Sequence, residues 1–508
     1  MADFLNGTQL LFTDPIGIVI FIGALIGGLV FGAVPGLSLL TLAAILLPFT
    51  AWMSSTHAIM LYGVIYVSGV YGGAVTAILF NIPGSVENAP TAFDGYPMTR
   101  KGQSGKAIGY AVTCSAIGGT LSAIAMMAFT GPIADFAVST FGPAEIFALV
   151  FFGLSIVAGV GTKSLAKGWL SLLIGLLIGS VGTDPIGGIP RFSMGTLYLL
   201  GGISFIPLIL GFFAVTEVFI QGQRLTTGTY RPPKVSVAYP SMVEFWRMKF
   251  VVARSAIIGF FAGVLPGIGA TLAAFLSYNE AVRWSKHPER FGTGEPEGVV
   301  APETANNAAT GAAMIPLLAL GLPGGALTAM MIGVFNLHDM DIGPLIMVEA
   351  RDLVWVLFAS MFWASLAIIF LGVVEAKGIV NLLRIPFPML GPGILLFSTI
   401  GAYALRNNIV DVYTMFIAGI IGYFMRRRDY SIPALVMGVI LGQIGEAHFA
   451  RAMVILDYNV LGLLQKPIAA VLIALGLFTI VLNIVRHRKM FSSTFGRFHV
   501  DTEKGTAS

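Results

Sequence analysis

Twelve apolar runs of about 20 residues, the length of a membrane-crossing helix, lie along this chain near 16–34, 58–80, 107–130, 143–161, 164–182, 197–219, 250–276, 308–335, 353–374, 388–405, 409–425 and 467–485. They predict about ten to twelve crossings, according to how interrupted segments are counted. With 56% of 508 residues hydrophobic and only 11% charged, the chain lacks the charge that a soluble surface of this size requires. The runs are continuously apolar and do not alternate, which excludes an outer-membrane barrel. The expected fold is an all-α integral membrane protein, a polytopic helical bundle.

Orientation follows from the basic residues. Arg426, Arg427 and Arg428, and then Arg486, Arg488 and Lys489, read as cytoplasmic, so the net charge of +4 reflects membrane topology and not a nucleic-acid partner. Met1 to Pro15 carries Asp3 and Asp14 and no basic residue, unlike a cleavable signal, so the first helix is expected to act as its own insertion signal. Cys114 stands alone and reads as a packing residue.

Short words recur in order. Gly32-Ala-Val-Pro35-Gly36 returns as Gly263-Val-Leu-Pro266-Gly267, and Asn81-Ile-Pro83-Gly84 as Gly321-Leu-Pro323-Gly324. Gly142-Pro143 is echoed by Gly391-Pro392, and Gly179-Ser-Val-Gly182 by Gly442-Gln-Ile-Gly445, with offsets of 231, 240, 249 and 263. A rising series is what small insertions in one copy of a duplicated half produce. The expected organisation is a first repeat over 1–220, a polar linker over 221–249, a second repeat over 250–489 and a cytoplasmic tail over 490–508. Ser241 to Val252 mixes Phe245, Trp246, Met248 and Phe250 with Arg247 and Lys249, which suits either an interfacial arm or an extension of the next spanning helix. The basic linker and tail ask for an even number of crossings between them, whereas paired broken helices accompany inverted repeats; the reading adopted is inverted.

In hydrocarbon an unpaired amide or carbonyl costs several kcal/mol, so broken helices survive only where protein or a watery cavity satisfies them. Proline removes a ladder donor and glycine permits the positive φ that ends a helix. Breaks at corresponding places, flanked by hydroxyl and amide side chains, therefore point to an anion site made of helix N-termini. The carbonyls of Leu79 to Ile82 would offer partial negative charge to a coupling cation.

YGGAVTAILFNIPGSVENAPTAFDGYPM, from Tyr71, and GEPEGVVAPETANNAATGAAMIPLLALGLPG, from Gly294, resemble signature segments of the large membrane subunit of the tripartite tricarboxylate transporters. The resemblance runs from Pro15 to about Asp457 and is most specific over Pro296 to Asn307. It implies a bacterial inner-membrane permease working with a small four-helix membrane subunit and a periplasmic solute-binding protein, and importing citrate-like di- and tricarboxylates with Na⁺ or H⁺. Transferred by position, the expected substrate-binding residues are Asn81, Pro83, Gly84, Ser85 and Asn88 on one side and Asn306, Asn307, Gly321, Pro323, Gly324, Gly325 and Thr328 on the other. Candidate cation-coupling groups are Leu79, Ile82 and Glu303. Glu303 has a second reading, as the cap of a helix beginning there. Asp94 reads as a turn residue, Asp184 as a partner of Arg191, Glu446 as a partner of Arg451, and Lys163 and Lys167 as interfacial residues.

Other chemistry finds little purchase. Tyr66-Val67-Ser68-Gly69 lacks the first glycine of a Gly-x-Ser-Gly protease site, the six histidines have no metal-ligand spacing, and Gly159 to Ser164 lacks the first glycine of a phosphate-binding loop. No cofactor is expected and the chain reads as a non-enzyme. Transport leads; an anion channel and a membrane-embedded enzyme are the alternatives.

Overall fold

The computed structural model describes residues 2–34, 37–159, 164–184, 187–223, 238–265, 269–382 and 387–503. Among these, the only regular structure that is not helical is one antiparallel pairing of Gly182–Thr183 with Pro190–Arg191. Among the described residues, eight helices are long and apolar enough to cross a membrane: Pro15–Ala33, Ser55–Phe80, Ser104–Thr140, Phe205–Gln223, Arg351–Gly378, Ile409–Arg427, Ile432–Ile455 and Pro467–Val485. Four apolar helices are shorter, Pro143–Val157, Leu165–Gly179, Ala326–Leu337 and Met389–Ala404. Together they bracket the ten to twelve crossings expected. The run at 250–276 is two helices, Lys249–Val264 and Gly269–Trp284, and the run at 308–335 is interrupted after Leu320. Pro35, Gly36, Pro266, Gly267, Lys163 and about half of the linker, 224–237, lie outside the described residues.

The chain forms two compact units, each drawing on both sequence halves: 1–140 with 203–424, and 141–202 with 425–508. In the larger unit the central element is Ser55–Phe80, whose apolar stretch is 94% buried. It lies close against Pro15–Ala33 because glycines line the contact: a side chain at Gly32 would meet the Gly69 carbonyl, and one at Gly72 the Leu29 carbonyl. Helices in a bilayer gain nothing from burying one apolar surface on another, so close backbone approach and dispersion must hold them together.

A second buried helix in that unit, Glu297–Ala312, is too polar to face lipid. Every residue from Gly298 to Ala312 is buried. It is caged by small residues, with Gly118 against the Thr304 carbonyl and Gly259 and Gly263 against Ala305 and Ala309. Ser122 ties the cage at its end, donating to the Ala308 carbonyl and accepting from the Ala312 N–H at 3.0 Å. Elsewhere in the unit, Phe205–Gln223 contains a π-helical turn at Leu210–Val215, where the Thr216 hydroxyl reaches the carbonyls of Gly211 (3.0 Å) and Gly419 (3.1 Å).

Met242–Arg247 is a separate short helix, ended at Met248, so it is not a continuation of Lys249–Val264. A reciprocal capping box joins Ser241 and Glu244, and Lys106 donates to Glu244 at 2.6 Å. Those bonds, that of Lys106 first, hold the exposed Glu244 carboxyl down at about 2. Lys249 stands over the Trp246 ring at 4.7 Å, the snorkelling arrangement of an interfacial segment.

In the smaller unit, Leu165–Gly179 and Ile432–Ile455 interlock through Gly175 and Gly438, each against the other helix's backbone, and Phe147 packs on Phe449 with ring centroids 4.8 Å apart. Several expectations are corrected in this unit. Arg191 pairs with Glu446 and not with Asp184, whose carboxylate accepts the Gly187 N–H instead; Glu446 therefore does not pair with Arg451. The partner 255 residues away wins because the strand pairing presents Arg191 across the unit, which sequence proximity could not reveal. Lys167 is not merely interfacial, since it donates to the Arg428 carbonyl at 2.6 Å. Two of the recurring words do not occupy matching places. Gly142-Pro143 opens a helix whereas Gly391-Pro392 is inside one, and Gly179 ends a helix whereas Gly442 and Gly445 lie within Ile432–Ile455.

Asp94 is likewise not a turn residue. It lies inside Ala89–Arg100, where Pro90 occupies the first turn and so interrupts no helical bond, and it is fully buried. One carboxylate oxygen accepts the N–H groups of Gly294 and Glu295, each at 2.8 Å, and the other accepts the Tyr278 hydroxyl at 2.9 Å. This clamps a helix of the first sequence half to the loop that starts Glu297–Ala312 in the second. Because removing the acceptor strands three donors, Asp94→Ala is expected to cost roughly 3 kcal/mol of stability, read as a lowered thermal midpoint in detergent, with Asp94→Asn falling between mutant and wild type.

Candidate functional site

The two Asn/Gly-x-Pro-Gly words are built as the same turn, 240 residues apart. Ser55–Phe80 ends at Asn81 in the left-handed conformation (φ 56, ψ 30), and Met314–Leu320 ends at Gly321 in the same region (φ 71, ψ 17). Asn81 N–H bonds back to the Ala77 carbonyl (3.2 Å) and Ile82 N–H to that of Thr76 (3.4 Å); Gly321 bonds to Leu317 (2.9 Å) and Leu322 to Pro316 (3.1 Å). Asparagine and glycine are the residues that adopt this conformation at least cost, which explains the choice at both positions.

After each turn the chain folds back on its own helix. Gly84 N–H donates to the Gly73 carbonyl at 3.3 Å, and a side chain at Gly84 would fall on the Gly32 carbonyl and lie 2.7 Å from the Gly73 Cα. Gly324 meets Ala313, the residue 240 positions beyond Gly73, so that an added Cβ would lie 2.8 Å from the Ala313 methyl. Ser85 and Gly325 are both extended, and each is answered three residues on. Ser85 bonds the Asn88 side chain at 2.5 Å, and Gly325 N–H donates to the Thr328 hydroxyl at 2.8 Å. Asn88 also donates to the Val70 carbonyl at 2.9 Å. Irregular backbone is thus satisfied by backbone and short polar side chains, as the bilayer demands.

Beside the first turn lies a buried polar cluster that joins the sequence halves. Glu303 accepts from Thr91 (2.5 Å), Ser115 (2.9 Å) and Asn306 (3.5 Å). Asn306 also reaches the Glu87 carbonyl (3.5 Å), and Asn307 donates to the Asn306 side-chain oxygen (2.9 Å) and the Glu303 carbonyl (3.3 Å). The remaining oxygen of Asn307 is buried without a donor. Glu303 sits in the middle of Glu297–Ala312 and so caps nothing, which removes one of its two readings.

Of the expected residues, Asn88, Glu303, Asn306 and Asn307 are brought together, and Ser85 adjoins them through Asn88. Gly321, Pro323, Gly324, Gly325 and Thr328 form the second turn, and no hydrogen bond among the described residues joins it to the first. At the end of Ser55–Phe80 the carbonyls of Thr76, Ala77 and Ile78 are occupied, the last by Thr99 at 2.8 Å, which leaves those of Leu79 and Ile82 outside this network. Ile82 is 47% exposed. Ser115 was missed by sequence reading: a lone serine in the long apolar helix Ser104–Thr140 carries no signal until Glu303 is placed opposite.

Residues 18–437 match the tripartite tricarboxylate transporter TctA family. The chain belongs to that family. It is therefore a multi-pass membrane subunit of a tripartite tricarboxylate transporter, and the matched stretch contains both turns and the Glu303 cluster. It is 37% identical to a 52.8 kDa protein of Agrobacterium vitis, described as uncharacterized and in the TAR-I ttuC' 3' region, over 96% of this chain and 97% of that one. A second uncharacterized protein of the same organism, in the TAR-II ttuC' 3' region, is 39% identical over 45% of this chain and 94% of its own length. No solved structure matches the chain.

The close approach at Gly84 makes that position a sharp test. Gly84→Val has no space and is expected to distort the first turn at a local cost of about 1–3 kcal/mol, leaving membrane insertion intact and abolishing uptake. Gly324→Val is expected to act in the same direction, whereas Gly324→Ala, whose Cβ would lie 2.8 Å from the Ala313 methyl and 3.0 Å from its Cα and carbonyl oxygen, retains part. Transport assays on membranes with matched protein levels check this, and wild-type uptake by either valine variant would detach the turns from the transport site.

Proposed function

We propose that this chain is the permease of a solute-binding-protein-dependent secondary transporter that imports small citrate-like di- and tricarboxylates with Na⁺ or H⁺ across the bacterial inner membrane. Its partners in this reading are a small four-helix membrane subunit and a periplasmic solute-binding protein, which hands over the anion. The observation that carries the reading is the pair of similarly built Pro-Gly turns, each closed three residues on by a polar side chain, Asn88 at the first and Thr328 at the second. First-turn N–H groups have no intrahelical partner and lie at the positive end of the helix dipole, so they favour a carboxylate without a buried lysine.

In this reading Asn81, Pro83, Gly84, Ser85 and Asn88 line one side of the substrate site. Asn306, Asn307, Gly321, Pro323, Gly324, Gly325 and Thr328 line the other, the two sides belonging to repeated and inverted halves of the chain. Glu303 anchors the coupling cation. Its neighbourhood offers acceptors beyond those already used, notably the unpartnered Asn307 oxygen, and the carbonyls of Leu79 and Ile82 supply partial negative charge nearby.

Two measurements test the proposal. Citrate uptake into proteoliposomes carrying the complete assembly is expected to depend on the solute-binding protein and to exchange labelled for unlabelled citrate; non-saturating flux with no counterflow would make the protein a channel. Uptake across a panel of Na⁺ concentrations and pH values is expected to lose its cation dependence in Glu303→Gln, with apparent affinity for the coupling cation weakened by about tenfold or more. An unchanged dependence would remove Glu303 from coupling.

A further inference from the structure

Among the described residues, one buried acidic side chain of a spanning helix has no hydrogen-bond partner. Glu375 lies within the spanning helix Arg351–Gly378 and is 9% exposed, and neither of its carboxyl oxygens has a hydrogen-bond partner. The other buried acids among the described residues are all engaged. Glu303 accepts from Thr91 and Ser115, Asp94 from Gly294, Glu295 and Tyr278, Asp411 from Arg406, Glu145 from the Gly142 N–H and Glu217 from Gln221. A buried carboxylate without donors or counter-charge costs several kcal/mol, so as arranged here the group is accommodated only as the neutral acid.

Its surroundings connect it to the first turn. One helical turn before Glu375, the Gly372 carbonyl accepts the Tyr71 hydroxyl at 3.3 Å, and the absent side chain of Gly372 makes room for the Tyr71 ring, whose Cε1 would lie 2.8 Å from a Cβ there. The same stretch of Ser55–Phe80 receives the first turn on its other contacts, through Val70 (from Asn88) and Gly73 (from Gly84). Residues 70 to 73 therefore touch both the substrate turn and the setting of Glu375.

We propose that Glu375 is a proton-binding site that couples proton movement to substrate movement, protonated in the closed arrangement and releasing its proton when the Tyr71–Gly372 contact opens to water. The step is a simple proton transfer: the carboxyl O–H bond breaks, the electron pair stays on the carboxylate and the proton passes to water on the opened side, to be regained from the other side. This rests on the transport reading above. A metal cation is the poorer occupant, because Glu375 stands in an unbroken helix whose carbonyls are held in the ladder and no cluster of three His, Cys, Asp or Glu side chains surrounds it among the described residues.

Among the described residues, the charged and titratable groups on the elements packed against this helix do not neutralise it. Tyr71 faces it from Ser55–Phe80, and Tyr239, before the arm, gives its hydroxyl to the Ile369 carbonyl. Lys106 and Tyr110 come from Ser104–Thr140, with Lys106 held by Glu244. Lys377 on its own helix is exposed, Asp3 from Ala2–Thr13 is bound to Arg351, and Asp14, before Pro15–Ala33, is bound to His57.

The test uses the complete assembly with its solute-binding protein in proteoliposomes, with citrate as probe and equal Na⁺ on both sides. Wild type is expected to show citrate counterflow without a gradient and accumulation under an imposed pH gradient, acid outside. Glu375→Gln is expected to keep counterflow and to lose gradient-driven accumulation by about tenfold or more, while Glu375→Asp keeps part of it. Undiminished accumulation in Glu375→Gln, or wild-type accumulation that ignores the pH gradient, overturns the proposal and leaves the transport reading standing; absent wild-type counterflow overturns that reading instead. Infrared difference spectra give a second readout, independent of activity. A protonated-carboxyl band present in wild type at neutral pH and missing in Glu375→Gln supports the assignment even where the variant's transport fails, and identical spectra overturn it.

Discussion

A polypeptide in hydrocarbon cannot leave its amides and carbonyls unpaired, and the structure around the two Pro-Gly turns follows from that constraint. The chain breaks a buried helix twice and each time repairs the break in the same way. A left-handed cap returns two N–H groups to the helix, the following glycine folds against that helix's own backbone, and a short polar side chain three residues on closes the loop. At the first turn the fold-back includes the Gly84 N–H bond to the Gly73 carbonyl, and at the second Gly324 rests against Ala313.

The same constraint explains the polar helix Glu297–Ala312. It can remain in the bundle because alanine and glycine bring neighbouring helices near enough to surround it and because its acidic and amide side chains satisfy one another and Thr91 and Ser115. Glu303 thereby becomes the point at which both sequence halves meet, with Asp94 as a second crossing, tying Ala89–Arg100 to the start of that helix. Both are carboxylates held by several donors. Buried charge of this kind orients the elements around it more than it stabilises them.

Much of this was legible before any coordinates. The repeated apolar runs required a helical membrane bundle, since neither a soluble fold nor a barrel accommodates them. The Pro83-Gly84 and Pro323-Gly324 words marked both breaks, because the covalent chemistry of proline and glycine acts locally. Asn306 and Asn307 were singled out with them. The other recurring words were less informative: those at Gly142 and Gly391 fall at unlike places in their helices, since glycine and proline serve packing and helix starts as readily as breaks. Asp94 was misread as a turn residue because a carboxylate before Gly95-Tyr96-Pro97 has the local signature of one, and its actual donors lie about 200 residues away.

What the sequence determined by itself was everything set by local chemistry and by solvent: the membrane, the helices, and the positions where a helix must stop. Only the tertiary structure decided which polar groups face each other, including Thr91 and Ser115 on Glu303, Arg191 with Glu446 in place of nearer partners, and the solitude of Glu375. The physical reason is that a helix break is written in the residues that make it, whereas the fate of a buried polar side chain depends on what the fold brings within about 3 Å of it, and residues far apart in sequence supply that.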